Sequence, residues 1–115
     1  MDFKTNQELF DKAYENGLYD KLLIQIQKDF NRANIELELS RQITTHEITQ
    51  LIQEKLYVLL LEKFDDYLNV LYVIDIPEKS LRRIKSSDVV EVSKEVTFLI
   101  LNREFQKVCY KNQFE

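Results

Sequence analysis

The chain is poor in the residues that turn a backbone sharply: its 115 residues include one glycine and one proline. An all-β domain of this length needs many tight turns, most of them built on Gly, Pro or Asn, so the shortage argues against sheets and for helices. One glycine also cannot build a phosphate-binding loop, a dinucleotide fingerprint or a nucleophile elbow, each of which uses several at fixed positions. The single cysteine, Cys109, can make neither an internal disulfide nor a thiolate zinc site of its own, and it fits a reducing compartment. The single histidine, His46, opens a string, His46 to Gln50, that starts like a helical zinc-protease pattern. Gln50 stands where the second histidine belongs, so no metal and no cofactor is expected. Long apolar runs are missing as well. The longest uncharged stretches, residues 67–74 and 96–102, fall far short of the roughly 20 residues that a membrane-spanning helix needs. Met1 is followed by Asp2, and charges recur through Glu15, which is not the pattern of a signal peptide; the expectation is a cytoplasmic protein with no membrane contact.

What is present is ample core material. Hydrophobic residues make up 44% of the chain, with 7 Phe and 6 Tyr, enough to offset the entropy of ordering one domain spanning residues 1–115. Charge is uneven about the only proline. Residues 1–76 carry 8 basic and 14 acidic side chains, net −6, whereas residues 77–115 carry 8 and 6, net +2. Such opposition can tie parts of a molecule, or two molecules, together.

Periodicity predicts an irregular all-α bundle of about five helices. Thr5 with Glu8 has capping-box spacing and opens a helix over 6–15, which Asn16 and Gly17 stop. Leu18, Leu22, Leu23, Ile26, Phe30 and Ala33 recur every three or four residues and predict an amphipathic second helix, with Lys21, Gln25, Lys28, Asp29 and Arg32 on its other side. Residues 35–39 alternate apolar and charged side chains, and residues 35–44 read as an extended connection laying Ile35, Leu37 and Leu39 on the core, with a strand-like edge as the alternative. Thr44 and Glu47 repeat the capping-box spacing. From there to Ile76 the expectation is one continuous helix whose apolar seam shifts from Ile48, Ile52 and Leu56 to Phe64, Tyr67 and Leu71 on the opposite side. The alternative is a break near Phe64 with Asp65 as a new cap. Asp75 with Glu78 supplies a third capping-box spacing around Pro77, and a long last helix follows Asp88 to about Lys111.

That last helix carries the residues singled out as candidates. One side presents Val89, Val92, Val96, Leu99 and Ile100 together with Arg103; another presents Phe98, Leu101, Phe105, Val108 and Cys109. A helix apolar on two sides must be covered on both, either by its own chain or by a second copy, so a homodimer or a protein partner is expected. A charge at Arg103 calls for a carboxylate, with Glu62, Asp66 and Asp75 as sources. Glu62, Asp65 and Asp66 form an acidic group without the turn glycine and alternating oxygens of a calcium loop. Lys79, Arg82, Arg83 and Lys85 cluster, and Arg103, Lys107 and Lys111 recur every four residues. The pI near 5.1 and the intervening acids argue against nucleic acid.

The segments YLNVLYVIDIPE, residues 67–78, and FLILNREFQKVCYKN, residues 98–112, resemble small all-helical bacterial proteins with no assigned activity. The resemblance implies a helical fold and a cytoplasmic bacterial origin. With no catalytic constellation in view, the leading expectation is a non-enzymatic self-association or protein-interaction module. The rivals are a small-molecule binder or enzyme with a pocket between the long helices, using Arg103, Asp66, Asp75 or Tyr67, and a weak nucleic-acid binder through the basic C-terminal part.

Overall fold

Capping chemistry sets the first helix. In the computed structural model, which describes residues 3–40 and 42–113, the Thr5 hydroxyl accepts the Glu8 N–H at 3.1 Å and starts α1, Asn6–Glu15. The Glu8 carboxylate reaches back to the N–H of Lys4 at 2.9 Å, so the box closes one residue early. Asn16 ends the helix, and Gly17, at φ +68°, turns the chain in the left-handed region that a side chain would disfavour. α2 follows at once as Tyr19–Arg32, with Asn34 in a left-handed conformation after it. Residues 35–40 form neither helix nor strand, and an Ile43 N–H to Ser40 carbonyl hydrogen bond of 3.1 Å turns the chain before Thr44. Leu37 is buried, Ile35 and Leu39 are half-buried against the core, and Arg41, within the expected connection, lies outside the described residues. No strand occurs among the described residues. The buried Tyr19 hydroxyl donates to the Ile43 carbonyl at 3.1 Å and pins the end of this connection.

At α3, Thr45–Glu62, the capping box is complete: the Glu47 N–H donates to Thr44 Oγ1 at 3.1 Å and the Thr44 N–H to Glu47 Oε1 at 3.2 Å. The expected single helix from here to Ile76 is corrected. Lys63 leaves helical geometry at φ −142°, ψ 64°, and α4 runs separately as Phe64–Ile74. The break resolves the shifting seam, because each half now turns its own apolar stripe inward: Ile48, Ile52, Leu56 and Leu59 from α3, Tyr67, Val70, Leu71 and Ile74 from α4. Asp65 does not cap it. Lys63 holds that position, and no side chain caps α4. Asp75 is corrected too, since it terminates α4 in a left-handed conformation at φ +68° instead of opening the next helix. Pro77 is the cap of the short α5, Glu78–Arg82. The helices therefore number six among the described residues, ending with the 25-residue α6, Val89–Gln113.

α6 is the axis of the fold. It packs against α1, α2 and α4, and most extensively against α3. Its buried residues are Ser93, Val96, Thr97, Ile100, Leu101, Glu104, Phe105 and Val108. At 100° per residue these form one broad inner face, about half the circumference, with Ser93, Thr97 and Glu104 down its middle. The two apolar sides read from the sequence are the margins of this face. Its two central hydroxyls are satisfied within the helix, Ser93 Oγ donating to the Val90 carbonyl and Thr97 Oγ1 to the Ser93 carbonyl, each at 2.7 Å.

Candidate functional site

The densest polar chemistry lies where α2 crosses α6. Asp29 and Glu104 are both fully buried, and Asp29 Oδ1 and both Glu104 carboxyl oxygens accept from no donor among the described residues, so it is a proton on Glu104 that lets the two carboxyls hydrogen-bond. Lys107 donates from Nζ to Asp29 Oδ2 at 2.7 Å and lies 3.4 Å from Glu104 Oε1. Gln25 Nε2 donates to the same Asp29 oxygen at 3.1 Å, and Gln25 Oε1 accepts from Lys111 Nζ at 2.7 Å. Arg32, exposed, stands 3.7 Å from Asp29 Oδ1. Burial pushes the Glu104 carboxyl up to about 9, the hydrogen bond and charge of Asp29 push it the same way, and Lys107 opposes only in part. Glu104 is thus the neutral acid of the pair. Burial also acts to raise Asp29, but hydrogen bonds from Glu104, Lys107 and Gln25, with the charge of Lys107, hold it below the usual carboxylate range. The arrangement is one proton between two carboxyls, with one lysine neutralising the remaining charge.

A protonated acid beside a carboxylate is the equipment of general acid and base catalysis, but both groups are sealed from solvent and no substrate could reach them. Their work is to fix the register of α2 on α6. The sequence reading placed Gln25 and Asp29 on the solvated side of α2 and is corrected. The signal was there, because Gln25 and Asp29 lie at the same three-and-four spacing as Leu22, Ile26, Phe30 and Ala33. Glu104 was obscured by its neighbour Arg103.

Arg103 does find a carboxylate, and of the sources considered it is Asp75. Nη2 donates to Asp75 Oδ2 at 3.0 Å, Nε to the Asp75 carbonyl at 3.1 Å, and Nη1 to Gln106 Oε1 at 3.3 Å. The left-handed Asp75 presents its carbonyl and its carboxylate to one guanidinium, which joins the end of α4 to α6. Asp66 does not take part. It is exposed, in a surface depression of about 500 Å³ that Asn34, Lys55 and Lys63 also line. Leu101, Phe105 and Val108 are buried in the chain's own core, Phe105 against the ring of Phe3 at 5.7 Å between centroids; Phe98 is half-buried at the margin. Cys109 is half-buried, and burial pushes its thiol up, away from nucleophilic character. His46 is exposed in the first turn of α3. No group of three or more His, Cys, Asp or Glu able to hold a metal ion occurs among the described residues. None of their helices is long and apolar enough to cross a membrane.

Two surface features remain. Tyr57, Val58 and Leu61 on the last turns of α3, and Phe64, Leu68 and Tyr72 on α4, expose large apolar side chains on either side of the Lys63 break; Tyr72 is 83% and Leu61 55% exposed. On α4 the three recur every four residues and so form a strip along the helix. The second feature is a trough between α5 and α6, with adjoining cavities of about 360 and 280 Å³ that share Ser80, Arg83, Phe98 and Leu99. Comparison with known proteins finds no matching family model, no matching curated protein and no matching solved structure.

Proposed function

We propose that this chain is a non-enzymatic helical module that self-associates in the cytoplasm through the outer face of α3 and α4. The carrying observation is the exposed strip of Phe64, Leu68 and Tyr72, continued toward α3 by Leu61, Val58 and Tyr57. Apolar side chains scattered singly over a surface need no explanation, but six large ones at one junction are a contact face in waiting. The partner is a second copy, and charge supports that choice. The strip begins beside Glu62, Asp65 and Asp66 and leads, past Asp75, into the segment carrying Lys79, Arg82, Arg83 and Lys85. Pairing two strips antiparallel about a twofold axis near Leu68 sets the acidic end of each copy toward the basic segment of the other. A stable dimer buries roughly 800 Å² per partner, about a ninth of the 7372 Å² surface of this chain, which the strip and its charged margins can supply.

Sedimentation velocity from low to high micromolar concentration tests this reading. A particle of twice the chain mass is expected, together with weakening in high salt as the charged ends are screened. Leu68→Asp, on the exposed strip, should give a folded monomer. A single-chain mass at every concentration overturns the proposal, as does a dimer indifferent to Leu68→Asp.

A further inference from the structure

The geometry points to the α5–α6 trough as a binding site for an amphipathic monocarboxylate, its head group at Arg83 and Arg103 and its apolar tail over Ile84, Phe98 and Leu99. The two cavities divide the work. The one nearer the start of α6 is walled mainly by apolar atoms of Ile84, Phe98 and Leu99, whereas the other sets Asn102, Arg103 and Gln106 beside the apolar Phe3, Ile76 and Pro77. Together they lie within the range of small-ligand sites, about 300 to 1,000 Å³. A chain with one charged end fits such a graded trough better than a wholly polar or wholly apolar molecule.

The charge of the lining selects a monoanion. Lys94 stands 3.6 Å from Glu91 and shares the wall with Glu95, and Arg103 is offset by Asp75. The Arg83 guanidinium lines both cavities and makes no hydrogen bond or ion pair with any described residue. Glu95 stands on the wall of the apolar cavity alone, and no acid among the described residues lines the cavity that holds Arg103, so the positive charge at that end is uncompensated. Arg103 adds direction to that charge. Of the five N–H groups of its guanidinium, three are committed to Asp75 and Gln106 and two remain, on a group held in place and 30% exposed. A planar carboxylate can take those donors while facing Arg83; a dianionic phosphate would leave a negative charge unbalanced.

Titration of the isotope-labelled chain with decanoate, followed by amide chemical shifts and run beside decanol as the uncharged control, tests the site. Decanoate should saturate with shifts confined to residues 80–84 and 94–106, and bind more tightly than decanol. Arg83→Ala, an exposed change that leaves the fold intact, should weaken decanoate about tenfold, the worth of a charge-assisted hydrogen bond, and leave decanol unaffected. Arg103→Lys, which keeps the charge and removes the planar fork, should also weaken decanoate. Equal affinity for decanoate and decanol, shifts centred on the exposed strip of α4, or indifference to Arg83→Ala overturns the assignment.

Discussion

Glu104 owes its properties to a single step along a helix. Arg103, one residue earlier, is rotated 100° away and meets Asp75 at the surface, while Glu104 points into the core against Asp29. An unfolded glutamate titrates near 4.5, whereas burial and the neighbouring carboxylate raise Glu104 to about 9. Between those values the folded chain holds a proton that the unfolded chain releases. The contribution of Glu104 is therefore full below about 4.5 and is lost as pH rises toward 9. Asp29, held low, works in the opposite sense, and its contribution is lost as pH falls through the acid range. Glu104→Gln keeps the shape and offers Asp29 a donor with no proton to lose. Urea unfolding of this variant should show a gain on the order of 3 kcal/mol near pH 8 and a flattened decline between about pH 5 and 9. An unchanged pH slope would refute the shared-proton assignment. The opposite change, Asp29→Ala, removes the carboxylate that accepts from Lys107 and Gln25 and leaves Glu104, 3.4 Å away, as the acid beside Lys107; it should lower the urea midpoint.

Among the elements, those begun by side-chain capping were the most legible. Thr5 and Thr44 declare themselves by a glutamate three residues on, and both cap their helices. Asp75 with Glu78 shows the same spacing and makes no box, because the chain reaches Asp75 from a helix that must end in a left-handed turn before Pro77. Spacing cannot tell a helix start from a helix stop. The Lys63 break was likewise visible only as a seam that changes sides, with no Gly or Pro to mark it. It arises because the stripes of α3 and α4 cannot both face one core along a straight axis. Thr44→Ala removes the side-chain acceptor of the complete box and should cost about 1 kcal/mol, measured as a lowered urea midpoint with an unchanged slope. A loss near zero would mean that packing of α3 against α6 sets the helix start.

At the scale of the whole molecule, the inner and outer apolar residues separate into two tasks. Phe105 and its neighbours on α6 hold the chain together, with α1, α2, α3 and α4 arranged around them. Phe64, Leu68 and Tyr72 lie outside this core. The contrast can be measured on one chain: Phe105→Ala should cost about 3 to 5 kcal/mol through loss of apolar burial and the cavity left behind. Leu68→Asp, at an exposed position, should change the monomer's stability by no more than about 0.5 kcal/mol while abolishing self-association. If the two variants destabilised the fold alike, α4 would belong to the core and the contact face would be lost.

Composition and periodicity were enough to establish helices over sheets, the ends of α1 and the start of α3, a link outside helix and strand after Asn34, and a need for cover on both margins of the last helix. These follow from backbone sterics, capping and a period of 3.6 residues, which are local properties of a chain. Which surface provides that cover, which carboxylate meets Arg103, and that Asp29 and Glu104 share a proton depended on how distant segments pack. Asp29 and Lys107 are 78 positions apart, and no local rule connects them. Burial, which decides whether a charge is solvated or paired, is set by the neighbours that arrive from elsewhere in the fold.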